Sequence, residues 1–192
     1  MKRRAAAAGA LSHCSDGSSR VAYGACAVTN SDYYVRHLEA SITLAAADSI
    51  ADGVLAAGIA EGMLPLTAAV LDVGGNLVVV KRADGSGILR VDIAIGKAWG
   101  ALGMGISSRT IRDRLKDRPA FQSALAAASQ GRFVPVPGGV LIRAPGGDVI
   151  GAVGVSGDAS DRDEYAAIVA VRKAGLDPDP AEPLATWNDA HL

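Results

Sequence analysis

Cysteine is scarce in this chain of 192 residues, whose only thiols are Cys14 and Cys26, both close to the N-terminus. Two cysteines at that place cannot cross-link the rest of the chain, and their spacing is not that of a metal cluster. The sequence therefore predicts neither a disulfide framework nor a metal site. A reducing, cytoplasmic setting is the expectation.

Histidine and aromatic residues are few as well. Three histidines give little material for a triad hydrolase or a histidine-rich metal site. Aromatic residues make up 4% of the chain, so a pocket for a planar cofactor would have mostly aliphatic walls. The histidines are His13, His37 and His191, and the aromatic residues away from the chain ends are Trp99, Phe121, Phe133 and Tyr165.

Charge of one sign and long apolar runs are also lacking. A formal net charge of −1 provides no electrostatic footprint for nucleic acid. No apolar run reaches the roughly 18 residues that a membrane helix needs. The basic start and the alanine-rich residues 5–11 imitate a signal peptide, but that stretch is weakly apolar and ends at Ser12. A leader is favoured, with export as the alternative.

Apolar periodicity divides the chain into three parts. Residues 1–34 have no period and are predicted to be a disordered leader. A single domain is predicted over 35–176, and 177–192 is predicted to be a C-terminal tail because Asp-Pro-Asp-Pro at 177–180 stops a helix.

Helical and strand patterns alternate within the predicted domain. An apolar residue every fourth position from Leu38 to Val54 predicts a long first helix that begins near Val35. Asp161 and Glu164 have the spacing of a capping box at the start of the last helix. Hairpins are predicted at Leu66–Asp72 with Leu77–Arg82 and at Gly139–Arg143 with Val149–Val155, and further helices from Leu89, over Thr110–Lys116 and from Pro119 to about Gln130.

The order helix, hairpin, helices, hairpin, helix predicts an α+β fold. Its antiparallel sheet would be built from the two hairpins and flanked by helices. Both hairpins are apolar on both faces for much of their length, so we expect helices to cover them.

Several segments resemble one known family in their order and spacing. They are Pro65–Leu77 (first hairpin), Arg82–Gly85, Ile95–Trp99, Gly138–Ile142 and Gly151–Gly157 followed by Asp163 and Glu164. Over about 140 residues the chain is similar to the GlcG/HbpS-like, "haem-degrading" family. That resemblance implies a small antiparallel sheet with helices, assembly into homo-oligomers and, in some members, haem binding.

The chain departs from the family pattern where side chains could contact a ligand. Asn76 stands where many members have histidine, and Gly100 stands where many have threonine. Leu141 and Ala83 replace a proline and a methionine of the pattern. Fold membership is therefore better supported by the residues than haem as a cofactor.

Lys97 shares its predicted helix with Gly96, Gly100 and Gly103, which form a stripe poor in side chains. Close packing against a helix or a second subunit is one explanation, with Lys97 a solvated cation. The other is a ligand whose carboxylate pairs with Lys97. Arg82 and Asp84, at a strand end, form either the polar rim of a pocket or an ion pair in solvent.

The glycines 151, 154 and 157 do not form a dinucleotide fingerprint, and they favour close approach of another element. Backbone N–H groups after Ser156 could hold an anion, but the acidic residues there make helix capping the favoured explanation. The candidate ligand-binding residues are Lys97, Arg82, Asp84, Trp99, Gly100, Gly138, Gly139, Ser156 and Glu164.

Two functions remain open at this point, besides a pure assembly module. One is an oligomeric haem-binding or accessory protein for a planar or carboxylate-bearing small ligand. The other is an enzyme of small organic or aromatic acid catabolism in which Lys97 and Arg82 orient a carboxylate.

Self-association is the first testable expectation. The glycine-rich helix and strand suggest a surface for close contact, and light scattering should give a mass of at least twice the 19.4 kDa chain. A monomer at micromolar concentration would contradict it.

Overall fold

The computed structural model describes residues 38–192. The predicted leader 1–34, Val35 and His37 lie outside the described residues. Helix α1 (Leu44–Ala60) begins later than predicted, and Leu38 precedes it and is exposed. Thr43 sets the start, since its backbone is extended and its hydroxyl accepts the N–H of Ala46 at 3.2 Å, as in an N-cap.

The sheet has five strands, which are β1 (Thr67–Asp72), β2 (Leu77–Arg82), β3 (Gly139–Arg143), β4 (Val149–Ser156) and β5 (Asp177–Asp179). Their order in the sheet is β2-β1-β4-β3-β5, and every neighbouring pair is antiparallel. Both predicted hairpins are present, so the α+β prediction is confirmed.

Strand β5 comes from the segment that the sequence predicted to be a tail. It pairs with residues 141–143 of β3. Pro178 is buried there, and an edge strand accepts proline because one side of its backbone needs no partner. The last helix, Ser160–Lys173, ends before this run, with Gly175 in a left-handed conformation, and the chain then joins the sheet.

Helices cover both faces of the sheet. Besides α1 they are α2 (Leu89–Met104), α3 (Ser108–Leu115), α4 (Pro119–Ala128) and α5 (Ser160–Lys173), followed by a short 3₁₀ turn at Trp187–Asp189. Helices α1 and α5 pack on one face, with a core of aliphatic side chains that includes Ile50, Val54 and Ile168. Helix α2 packs on the other face against Leu71 and Leu141.

Edge strand β2 is less covered than the sequence predicted. Val80 is 40% exposed, because α2 lies over the middle of the sheet and not over its edge. On the opposite face Lys81 contacts two carboxylates of α1, Asp48 at 2.8 Å and Asp52 at 2.7 Å. The expectation that helices would cover both faces of both hairpins is therefore wrong for β2.

Helix α2 lies directly on β4 because Gly154 has no side chain. A Cβ atom at that position would clash with the carbonyl oxygen of Ala94 on α2. The expectation that the glycine-rich strand permits close approach is confirmed at this position.

Replacing Gly154 with alanine should separate α2 from the sheet. We expect a loss of roughly 1–3 kcal/mol or more in the free energy of unfolding, because backbone atoms cannot yield as a flexible side chain does. Thermal melting measures it. Gly87→Ala is the control, since its added Cβ would meet nothing within 4 Å; equal melting temperatures for both variants would contradict the assignment.

Candidate functional site

The structure divides the nine predicted site residues among three places. Lys97, Gly138, Gly139, Ser156 and Glu164 lie in or beside a buried cluster of charges where β4 ends and α5 begins. The other places are a cleft beside α2, lined by Trp99 and Gly100, and the exposed end of β2, with Arg82 and Asp84.

Lys97 is a buried residue, with 2% of its side chain exposed. Its ammonium donates to a carboxylate oxygen of Asp163 at 2.8 Å and to the carbonyl oxygen of Val155 at 2.8 Å. The idea of a solvated cation is therefore wrong. The charge is matched inside the protein, so it is not available to a ligand's carboxylate.

The surroundings of this pair explain why two adjacent glycines stand at the start of β3. A Cβ on Gly138, whose φ is +114°, would lie 3.0 Å from the Lys97 ammonium nitrogen and 2.8 Å from the Val155 carbonyl oxygen. A Cβ on Gly139 would clash with the backbone carbonyl of Lys97. Gly138 therefore makes room for the ion pair and Gly139 for the backbone of α2, which are both structural tasks.

Burial opposes the charges that the pair carries. It raises the pKa of Asp163 to about 6, although the neighbouring Lys97 ammonium works in the other direction. Burial also lowers the pKa of Lys97, again against the effect of its partner. A second carboxylate oxygen of Asp163 accepts the backbone N–H of Asp158 at 3.0 Å, which stabilises the charged form.

Glu164 is fully buried and does not form the predicted capping box. Helix α5 begins at Ser160 after Ala159, and no side chain caps it. Arg109 lies 3.2 Å from one Glu164 oxygen, yet neither carboxylate oxygen has a hydrogen-bond partner within residues 38–192. Burial raises the pKa of Glu164 to about 7, with Arg109 opposing the shift and Asp161 adding to it.

Ser156, Arg82 and Asp84 do not line the cleft beside α2. The buried Ser156 hydroxyl accepts a hydrogen bond from Arg90 at 3.3 Å. Arg82 and Asp84 are exposed, and the described residues contain no ion pair between them. The predicted strand-end ion pair is therefore wrong.

A cleft of about 170 Å³ opens beside the C-terminal half of α2. Its walls are apolar apart from one serine. The Trp99 ring lies along it, between the turn glycine Gly75 and Gly103. The lining residues are Trp99, Gly100, Gly103, Met104, Leu125, Ala128, Ser129 and Phe133.

The glycine stripe serves packing at one end and the cleft at the other. A Cβ on Gly96 would lie 2.5 Å from a Val134 methyl, and one on Gly100 would lie 3.2 Å from the Phe133 ring. A Cβ on Gly103 would meet only the Trp99 ring, at 3.8 Å. The first two glycines therefore admit the segment that precedes β3, and Gly103 keeps the cleft open.

Sequence reasoning missed Arg132. Its guanidinium carbon lies 4.5 Å from the centroid of the Trp99 ring, and its Nε donates to the Ser129 carbonyl at 3.3 Å. The turn that brings it there uses left-handed conformations at Gln130 and Gly131. A glutamine–glycine pair at the end of a helix predicts such a turn only weakly. It does not predict which residues the side chain of Arg132 will contact.

Residues 38–192 contain no group of three or more histidine, cysteine or acidic side chains arranged to hold a metal ion. No helix in that range has the length and apolarity required to cross a bilayer.

Removing the buried ammonium should destabilise the fold. Lys97→Met leaves the Asp163 carboxylate buried without its partner, which should lower the free energy of unfolding by about 3–5 kcal/mol. The double variant, Lys97→Met with Asp163→Leu, should recover much of that loss. Lys116→Met, at an exposed lysine, is the control. Denaturant unfolding at pH 7 measures the losses, and a single variant as stable as the parent would refute the role.

Glu164 should make stability depend on pH. Its folded pKa of about 7 exceeds the ordinary value of 4.5, so the folded state retains a proton that the unfolded state has lost. Stability should therefore fall as pH rises from about 4.5 to 7. Glu164→Gln should remove the part of this pH dependence that comes from Glu164. The free energy of unfolding at pH 5 and at pH 8 measures it, and an unchanged difference between the two values would contradict the assignment.

Comparison with known proteins shows which family and which fold this chain shares. The family model described as "Haem degrading protein HbpS-like" matches residues 42–172. An uncharacterised 15.0 kDa protein of the dhaT-dhaS intergenic region of Citrobacter freundii is 34% identical over 132 residues, which cover 69% of this chain and 91% of that protein.

Two solved structures share the fold. The crystal structure of HbpS superposes with a TM-score of 0.60 at 26% identity and covers 72% of this chain and 93% of that one. The crystal structure of a PduOC–haem complex superposes with a TM-score of 0.63 at 20% identity and covers 70% and 96%. With a family model that spans more than half of its length, the chain belongs to the HbpS-like family of haem-degrading proteins.

Proposed function

We propose that this protein is a binding or accessory protein that holds a planar, carboxylate-bearing ligand, with haem as the candidate, in the cleft beside α2. One observation carries the proposal: an aromatic ring and a glycine line an apolar cleft, and a guanidinium that is not itself a lining residue contacts that ring. Trp99 supplies a flat surface, Gly103 leaves it accessible, and Arg132 brings a cation that suits a carboxylate.

The lining fits one edge of a haem. Pockets that enclose a whole small molecule have volumes of roughly 300–1,000 Å³, so a cleft of about 170 Å³ admits part of a macrocycle or a smaller aromatic acid. Met104 is the lining residue whose side chain proteins use as a haem-iron ligand. His191, the histidine within residues 38–192, does not line the cleft. Bound haem would supply redox or ligand-binding chemistry.

Family membership supports haem as the ligand over the organic or aromatic acid of the alternative. The haem complex of PduOC has the same fold, and the matching family model is that of haem-degrading proteins. In the alternative, an enzyme of organic or aromatic acid catabolism, Lys97 and Arg82 would orient a carboxylate together. The Lys97 ammonium is instead buried against Asp163, while Arg82 is exposed on an edge strand.

The proposal includes assembly into homo-oligomers in the cytoplasm. Apolar side chains exposed on β2 and at the start of α2 support self-association, for example Val80, Ile88 and Leu89, which are 40%, 84% and 63% exposed.

Filling the cleft should weaken ligand binding and leave the fold intact. Gly103→Leu places a side chain beside Trp99, and leucine is a better helix former than glycine. We expect the affinity for haem, or for an aromatic acid from a small panel, to fall at least tenfold, or by about 1.4 kcal/mol. Absorbance and fluorescence titrations measure it, with thermal melting as the check on the fold.

Ala56→Leu is the matched control, because it adds the same side chain at an exposed position of α1. Parent-like binding by Gly103→Leu would remove the cleft from the proposed function.

A further inference from the structure

Residues 177–189, which we call the C-terminal segment, lie beyond the part of the chain that the family model matches, which ends at residue 172. The segment begins with β5, which pairs with the edge of β3. Near its other end the ring of Trp187 stacks on the ring of Tyr165 in α5, with 3.6 Å between the centroids and 9° between the planes. The domain therefore holds the segment at two points, a sheet edge and an aromatic side chain.

Three arginines of the domain also bind the segment. Arg109 of α3 donates to the main-chain carbonyl oxygen of Glu182 at 2.9 Å, and Arg172 of α5 donates to the carboxylate of the same residue at 2.8 Å. Arg162 of α5 donates to the side-chain oxygen of Asn188 at 2.9 Å. Strand pairing at a sheet edge, with hydrogen bonds to the main chain and a site for a large side chain, is a known way of binding an extended peptide.

The surface that receives the segment is also held by contacts within the domain. Arg162 donates to the main-chain carbonyl of Glu61 at 3.0 Å, and the Tyr165 hydroxyl donates to the Glu61 carboxylate at 3.3 Å. Arg109 lies 3.2 Å from the Glu164 carboxylate. These side chains therefore have partners that do not belong to the segment. The segment-binding surface consists of the edge of β3 with Arg109, Arg162, Tyr165 and Arg172.

The segment itself is loosely packed. Within 177–189 only Pro178 is buried, and the other residues are partly or fully exposed. Residues 174–176 connect the segment to α5, and Gly175 in that connection has a left-handed φ of +76°. Elements that bury so little open locally at a low free-energy cost. A surface with its own supporting contacts thus holds a segment that separates from it easily.

We propose that this surface is a peptide-binding site that takes the C-terminal segment of a second copy of the chain as well as its own. Surface and segment are the same in every copy, so each contact within one copy has an identical counterpart between two copies. Exchange of residues 177–189 therefore joins two copies without new contacts. The inference rests on the assembly that the proposed function includes, and it adds the surface and the segment through which the copies bind.

A labelled peptide of residues 176–192 tests the surface in the full chain. In the parent the tethered segment competes for the surface at an effective concentration of roughly millimolar, so the peptide should bind weakly. Trp187→Ala weakens this competitor and leaves the surface intact. The variant should therefore bind the peptide about tenfold more tightly, the effect expected of one aromatic pair. Fluorescence anisotropy measures the affinity, and thermal melting checks the fold.

Two further changes locate the contact. Tyr165→Ala, added to Trp187→Ala, should weaken peptide binding about tenfold, and a peptide that itself carries Trp187→Ala should bind equally weakly to the single variant. Phe121→Ala is the matched control, because it removes a ring that is 39% exposed on α4, and it should bind the peptide as the parent does. A Trp187→Ala protein with no gain over the parent overturns the peptide site, and so does a peptide whose affinity does not depend on its tryptophan.

Mixing two variants tests exchange between copies. The Tyr165→Ala chain has an intact segment and a damaged surface, whereas the Trp187→Ala chain has an intact surface and a damaged segment. Measured by energy transfer between labelled chains, the mixed pair should associate with a Kd about tenfold lower than either variant with itself. Equal association in mixed and unmixed samples overturns the exchange and leaves assembly by another surface standing. A parent that stays monomeric at every concentration overturns both the exchange and the assembly.

Discussion

The buried ion pair between Lys97 and Asp163 joins the two helical layers of this protein. Lys97 belongs to α2 on one face of the sheet, and Asp163 belongs to α5, which packs on the other face. The pair passes the end of β4, where Gly138 leaves space. Since separating two buried charges is costly, the contact fixes where α2 lies, and with it the cleft on the exposed side of the same helix.

Helix α2 therefore has two tasks on two sides. Toward the sheet it carries a charge that is satisfied internally, and toward solvent it presents Trp99 and Gly103. The segment before β3 packs on its first two stripe glycines and closes one end of the cleft. The position of α2 on β4 therefore determines the shape of the cleft, although no strand residue lines the cleft.

Much of the fold could be predicted from the sequence because periodicity and turn chemistry are local. Both hairpins surround glycine-rich turns, and the helices follow from apolar repeats. The predicted start of α1 was wrong because the apolar repeat continues upstream of Thr43, where the backbone becomes extended. Strand β5 was missed because three residues with a proline have no strand signal of their own and pair only in the folded sheet.

The site was predicted less well because burial of a charge is a property of the whole fold. Lys97 was singled out, but nothing in its neighbours along the chain shows that Asp163 would reach it from a helix 66 residues away. Arg132 was overlooked for the same reason, since its contact with Trp99 follows from a turn that returns the chain over the ring. The residue types indicated which side chains could bind a ligand, and the packing of the fold determines which of those side chains are accessible to one.

Helix α4 contributes to the cleft although none of its ten residues is buried. A helix that buries so little apolar surface draws little stability from its own packing, and such elements open locally at a low free-energy cost. A molecule held against Leu125 and Ala128 would supply the missing apolar contact. Occupancy of the cleft and order in this wall are therefore thermodynamically linked, so that each increases with the other.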